Sequence, residues 1–65
     1  MMANIQRQMK GYVRIRVHTV SYDRFLNICA LHDLYIWDLK PVENAYEIDR
    51  SIEAFRRLKP LARNT

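Results

Sequence analysis

The chain of 65 residues has one glycine, two prolines, one cysteine and one tryptophan, and these scarcities remove whole classes of function. A single glycine rules out a phosphate-cradling loop, which needs several positions free of Cβ. One cysteine rules out an internal disulfide framework and a thiolate zinc site, and it fits a reducing compartment. No apolar run approaches the ~18 residues of a membrane span. The opening MMANIQRQMK lacks the apolar stretch of a secretory signal. These absences point to a small cytoplasmic protein whose own residues do not insert in a membrane.

Hydrophobic residues make up 49% of the chain and charged residues 28%, which is globular rather than disordered composition. A chain this short buries about 60% of its unfolded surface, enough for one modest core. The reading is therefore one small α+β domain over residues 11–65, preceded by a flexible N-terminal arm over residues 1–10. Met1, Ile5 and Met9 fall at four-residue spacing in that arm, but nothing caps a helix there.

Gly11 stands directly before YVRIRVHT, which alternates strictly. Val13, Ile15 and Val17 point one way, and Tyr12, Arg14, Arg16 and His18 the other, as in a strand with one covered face. Ser21 offers a helix N-cap, and Asp23 in the first turn suits the positive end of the dipole. Tyr22, Phe25, Leu26, Cys29 and Ala30 then form one apolar stripe over about three helical turns. Asp33 ends that helix in a left-handed conformation, which Asp tolerates better than most residues.

Leu34–Leu39, reading LYIWDL, is expected to be the second strand, with apolar side chains on both faces. Pro41 limits its far end. A turn at Val42-Glu43-Asn44 leads into a third strand, Ala45–Asp49, with Tyr46 and Ile48 on one side and Glu47 and Asp49 on the other. So short a link makes the pair an antiparallel hairpin. Ser51 caps a last helix carrying Ile52, Phe55 and Leu58, with Asp49 a competing cap two residues earlier, and Pro60 ends or kinks it.

The order strand, helix, strand, strand, helix predicts a ferredoxin-like βαββα arrangement. It is a three-stranded antiparallel or mixed sheet with both helices on one face, lacking its final strand. The first and third strands then lie side by side, and Arg14 and Arg16 face Glu47 and Asp49 on the open side. An uncovered edge on the first strand and an aromatic segment at Leu34–Leu39 give such a domain reason to pair with another protein or another copy of itself. Tyr12, Arg14, Arg16, Tyr35 and Trp37 are the interface candidates.

Net charge is +4 and the pI about 9.6, so a nucleic acid is the alternative partner. Arg56, Arg57, Lys59 and Arg63 form the basic patch that would serve it, with help from Arg14 and Arg16. Interspersed carboxylates, among them Glu43, Glu47, Asp49 and Glu53, favour a mixed, solvated surface instead. Cys29 falls on the core stripe, so it is a buried thiol rather than a nucleophile served by His18 or His32. Two imidazoles without a third ligand make a poor metal site. The chain is accordingly read as a non-enzyme without catalytic residues, metal or cofactor.

GYVRIRV, followed by SYDRFLNICALHDLYIWDLKPVENAYEIDRSIEAFRRLKPLARNT, resembles the N-terminal domain of the YqfD family of stage IV sporulation proteins of Firmicutes. The matching motifs are the glycine-led basic strand Gly11–Val17, the helix start Ser21–Asn27, the segment Leu34–Asp38 and the closing Phe55–Thr65. Asp23 stands where the family pattern has glutamate, Asp33 where it has glycine, and Asn64 where it has lysine. The resemblance implies a structural or protein-interaction domain without assigned catalytic residues. It also implies membrane-associated relatives of the sporulating mother cell, in which this domain precedes a further strand and a transmembrane segment. This chain ends about where that strand would begin, as a shortened piece or a short stand-alone relative would.

Overall fold

The structure, a computed structural model, describes residues 2–63; Met1 and the Asn64 and Thr65 of the closing motif lie outside them. The elements are β1 (Met2–Met9), β2 (Tyr12–His18), α1 (Tyr22–Leu31), β3 (Lys40–Val42), β4 (Ala45–Arg50) and α2 (Ile52–Arg63). The four strands form one antiparallel sheet in the order β1-β2-β4-β3. Since β2 and β3 both run antiparallel to β4, they are parallel to each other, joined through α1 with β4 between them. This is the split βαβ connection expected from the element order.

The expected mobile arm is instead a strand. Met2–Met9 pairs with β2 from Met2↔His18 to Met9↔Tyr12, with a register shift between Ile5 and Arg7. The two-residue connection Lys10-Gly11 closes this hairpin, and Gly11 has φ +83°, a conformation that side chains with a Cβ rarely adopt. The sheet therefore has four strands, and the edge beside β2 is occupied from the N-terminal side rather than standing open. Alternation fails to reveal β1 because Ala3 is its one fully buried residue, and Gln6 sits at the shift that breaks the period.

Leu34–Leu39 also departs from expectation: it carries no ladder pairing, and β3 begins only at Lys40. Burial still alternates along it, with Leu34 and Ile36 packed on the core and Tyr35 and Trp37 exposed. Pro41 lies inside β3, which is possible because β3 is an edge strand and spends no outward N–H on a neighbour.

Local chemistry sets the helix ends. The Ser21 hydroxyl accepts from the Arg24 N–H at 3.4 Å. At the far end of α1 the Leu34 N–H donates to the Cys29 carbonyl and the Asp33 N–H to that of Ala30, with Asp33 at φ +59°. That is a Schellman closure with Asp in the place usually held by glycine. Ser51 caps α2 through the Ala54 N–H at 3.2 Å. Pro60 does not end this helix, which continues to Arg63 and buries Leu61 and Ala62. That burial offsets the hydrogen bond proline cannot donate.

Both helices cover one face of the sheet. Phe25 and Cys29 of α1 and Phe55, Leu58 and Leu61 of α2 share a cluster with Val13, Ile15 and Val17 of β2 and Ile48 of β4. No buried side-chain nitrogen or oxygen among the described residues lacks a partner.

Candidate functional site

The open face of the sheet is organised by charge. Arg14 stands opposite Asp49 and Arg16 opposite Glu47 in the β2–β4 ladder. Arg14 Nε donates to Asp49 Oδ1 at 2.9 Å, and Arg16 Nη2 to Glu47 Oε2 at 2.7 Å. The hydrogen bond from Arg14 holds the Asp49 carboxyl below its ordinary range, and Asp49 in turn raises the Arg14 guanidinium. The cross-strand pairing expected from the sequence is thus present. It pairs two of the interface candidates, Arg14 and Arg16, with the carboxylates directly opposite them on β4.

The edge expected for partner binding is a different matter. β2 is an interior strand, laddered to β1 on one side and β4 on the other, so it has no edge to offer. Tyr12, at the hairpin end, is 39% exposed. The remaining two candidates stand together on the connector between α1 and β3, where Tyr35 is 60% and Trp37 80% exposed.

That connector is anchored by a residue the sequence reading did not single out. Arg50 Nη2 donates to Asp38 Oδ1 at 2.6 Å and Nη1 to Oδ2 at 3.0 Å, and the guanidinium lies 5.7 Å from the centre of the Trp37 ring. The pair raises Arg50 and lowers Asp38 through their shared hydrogen bonds. Arg50 pairs with Val13, so it shares the helix-side parity of Tyr46 and Ile48. A charge in core register at a strand end requires a partner, and that parity was the available signal.

The four residues of the basic patch do not act as one group. The Arg57 guanidinium donates to the His32 carbonyl at 2.9 Å, tying α2 to the C-terminal end of α1. Lys59 Nζ lies 5.9 Å from the Phe55 ring. Arg56 and Arg63 are exposed. Cys29 is fully buried, and burial pushes its thiol up to about 11. His18 and His32 are exposed. Among the described residues no three His, Cys, Asp or Glu side chains converge as metal ligands, and no helix is long and apolar enough to cross a membrane.

No curated protein and no solved structure matches the chain. A family model does, over residues 7–65, and its description is "Putative stage IV sporulation protein YqfD". The match begins inside β1 and takes in every later element, including the Leu34–Asp38 segment with its exposed tryptophan. The chain belongs to the YqfD sporulation protein family.

Proposed function

We propose that this domain is a non-catalytic protein-interaction module of a sporulation protein, and that Tyr35 and Trp37 form its contact surface. The observation carrying the reading is the state of Trp37. It is 80% exposed, yet it sits on a connector fixed by the Asp38–Arg50 ion pair and flanked by the Arg50 guanidinium. Tryptophan, tyrosine and arginine are the residues most enriched where binding energy concentrates, and a fixed aromatic loses little entropy on docking. The non-catalytic part rests on Cys29, a buried thiol held protonated at neutral pH, with no histidine hydrogen-bonded to it among the described contacts. The partner is a protein, with a second copy of this chain tested first, and no cofactor is involved. The reading places the domain in the cytoplasm, on the mother-cell side of a membrane where it forms part of a longer protein.

Light scattering across a concentration series, with tryptophan emission read in parallel, tests this. Self-association with a blue shift of the Trp37 emission is the expected result, with the association itself, read by light scattering, lost in Trp37→Ala. A monomer whose emission stays that of exposed tryptophan at every concentration rejects the self-pairing form. A mobility shift of single-stranded RNA or duplex DNA that weakens steeply with salt and is lost in Arg56→Glu with Arg63→Glu would install the nucleic-acid alternative.

A further inference from the structure

One end of the molecule carries a groove of about 850 Å³, set between the start of β1, the β2–α1 connection and the last turns of α2. That volume lies in the range of ligand and peptide sites. Met2 and Val20 contribute exposed apolar surface above the buried Ala3 and Ala62, while Arg24, Lys59 and Arg63 bring positive charge to it. No Asp or Glu is among the described residues that line it. Neither Arg24 nor Arg63 is in an ion pair among the described residues, and all three cationic side chains are exposed.

Two features indicate what would occupy this groove. Arg24 is in the first turn of α1, where the helix dipole disfavours a cation, so helix stability does not explain it. Asp23 in the same turn already complements the helix end, whereas Arg24 is the charged residue of that turn that lines the groove and makes it attractive to carboxylates. The groove also runs against Met2 and Ala3 of β1, which is an edge strand. The shift beyond Ile5 breaks the regular edge, leaving Met2–Ile5 as the stretch that can accept another strand. An extended peptide satisfies that edge, whereas a lipid headgroup does not. Exposed Met2 and Val20 beside it supply apolar contacts for alternate side chains.

We propose that this groove docks an extended acidic segment of a partner protein, which adds to β1 at Met2–Ile5 and sets its carboxylates against Arg24, Lys59 and Arg63. The proposal rests on reading the domain as a protein-binding module, but it uses a separate set of residues that includes neither Tyr35 nor Trp37.

The test is a titration of the isotope-labelled chain with a short peptide of alternating glutamate and valine, followed through amide chemical shifts. Expected are shifts at Ala3, Val20 and Ala62, no response to the same peptide with lysine for glutamate, and at least about tenfold weaker binding in Arg24→Glu with Arg63→Glu, from two reversed charge contacts. The milder Lys59→Gln, at an exposed site, should weaken binding less and keep the fold. Trp37→Ala should leave the titration unchanged, which separates this groove from the aromatic surface. Absence of shifts at millimolar peptide, equal binding of the lysine peptide, shifts centred on Tyr35 and Trp37, or a response to phosphatidylglycerol vesicles but not to peptide would each overturn the proposal.

Discussion

The Arg50 guanidinium bridges two neighbours on one connector: it chelates Asp38 through both terminal nitrogens and lies against the Trp37 ring. An exposed bidentate ion pair and a cation–π contact contribute about 0.5–1 kcal/mol each. Arg50→Ala should therefore lower the unfolding free energy by about 1–2 kcal/mol in urea titrations. Exchange of the Leu34 amide, which donates to the Cys29 carbonyl where the connector begins, should accelerate more than that of the β2 amides.

Ala3 faces Val17 across the β1–β2 ladder and is 3% exposed. Ala3→Lys should cost about 2–4 kcal/mol by burying a charge with no carboxylate beside it among the described residues. Gln6→Asp, at the exposed shift in the same strand, should stay within about 0.5 kcal/mol. Equal, negligible effects of the two substitutions on the urea midpoint would show that β1 is not part of the folded unit.

Two left-handed positions make opposite predictions. Gly11→Ala should destabilise by about 1 kcal/mol: there is open space for the new methyl, so the cost is backbone strain at φ +83°. Asp33→Gly should stabilise by about 0.5–1 kcal/mol, since it relieves the same strain in the Schellman closure of α1. Thermal melts of the two variants beside the parent chain would check both signs.

Cys29 should resist thiol-specific reagents in the native state at pH 8 and react at once in denaturant. Its thiol, raised to about 11 by burial, binds its proton more tightly folded than unfolded. Its contribution is therefore fully present below the unfolded thiol range near pH 8.5 and is lost progressively as pH rises toward 11. Cys29→Ala should remove this alkaline slope from a plot of urea midpoint against pH.

Asp38 and Asp49 shift the other way. Hydrogen bonds from Arg50 and Arg14 hold both carboxyls below their unfolded values. The unfolded chain then binds more protons, so the stabilisation is present above about pH 4 and disappears as pH falls through the lower folded values. Asp38→Asn with Asp49→Asn should flatten the acid limb of the same plot, and because both pairs are exposed the change should shrink in high salt.

The readable parts of this fold are those in which one element's own pattern carries the information. β2 announces itself because Val13, Ile15 and Val17 are all buried on one side, and α1 because Ser21 and Asp33 bracket its apolar stripe. The opposite charges of Arg14 and Arg16 against Glu47 and Asp49 even fix the β2–β4 register. β1 hides because an edge strand with one buried side chain has almost no period, although Gly11 before a strand was the mark of a hairpin turn. Leu34–Leu39 misleads for the reverse reason: its burial alternates, but its backbone has no neighbour.

Periodicity, caps and charge placement, all local, therefore specified the α+β class, the two helices, the hairpin at Asn44 and the buried thiol. Tertiary structure alone decided which backbone edge β1 would fill, that the Trp37 connector would be pinned by Arg50 rather than by a ladder, and that Arg24, Lys59 and Arg63 would meet at one groove. Side-chain spacing records which face of an element is covered. It does not record which distant segment supplies the hydrogen bonds or charges, because those partners are separated along the chain and meet only when the core closes.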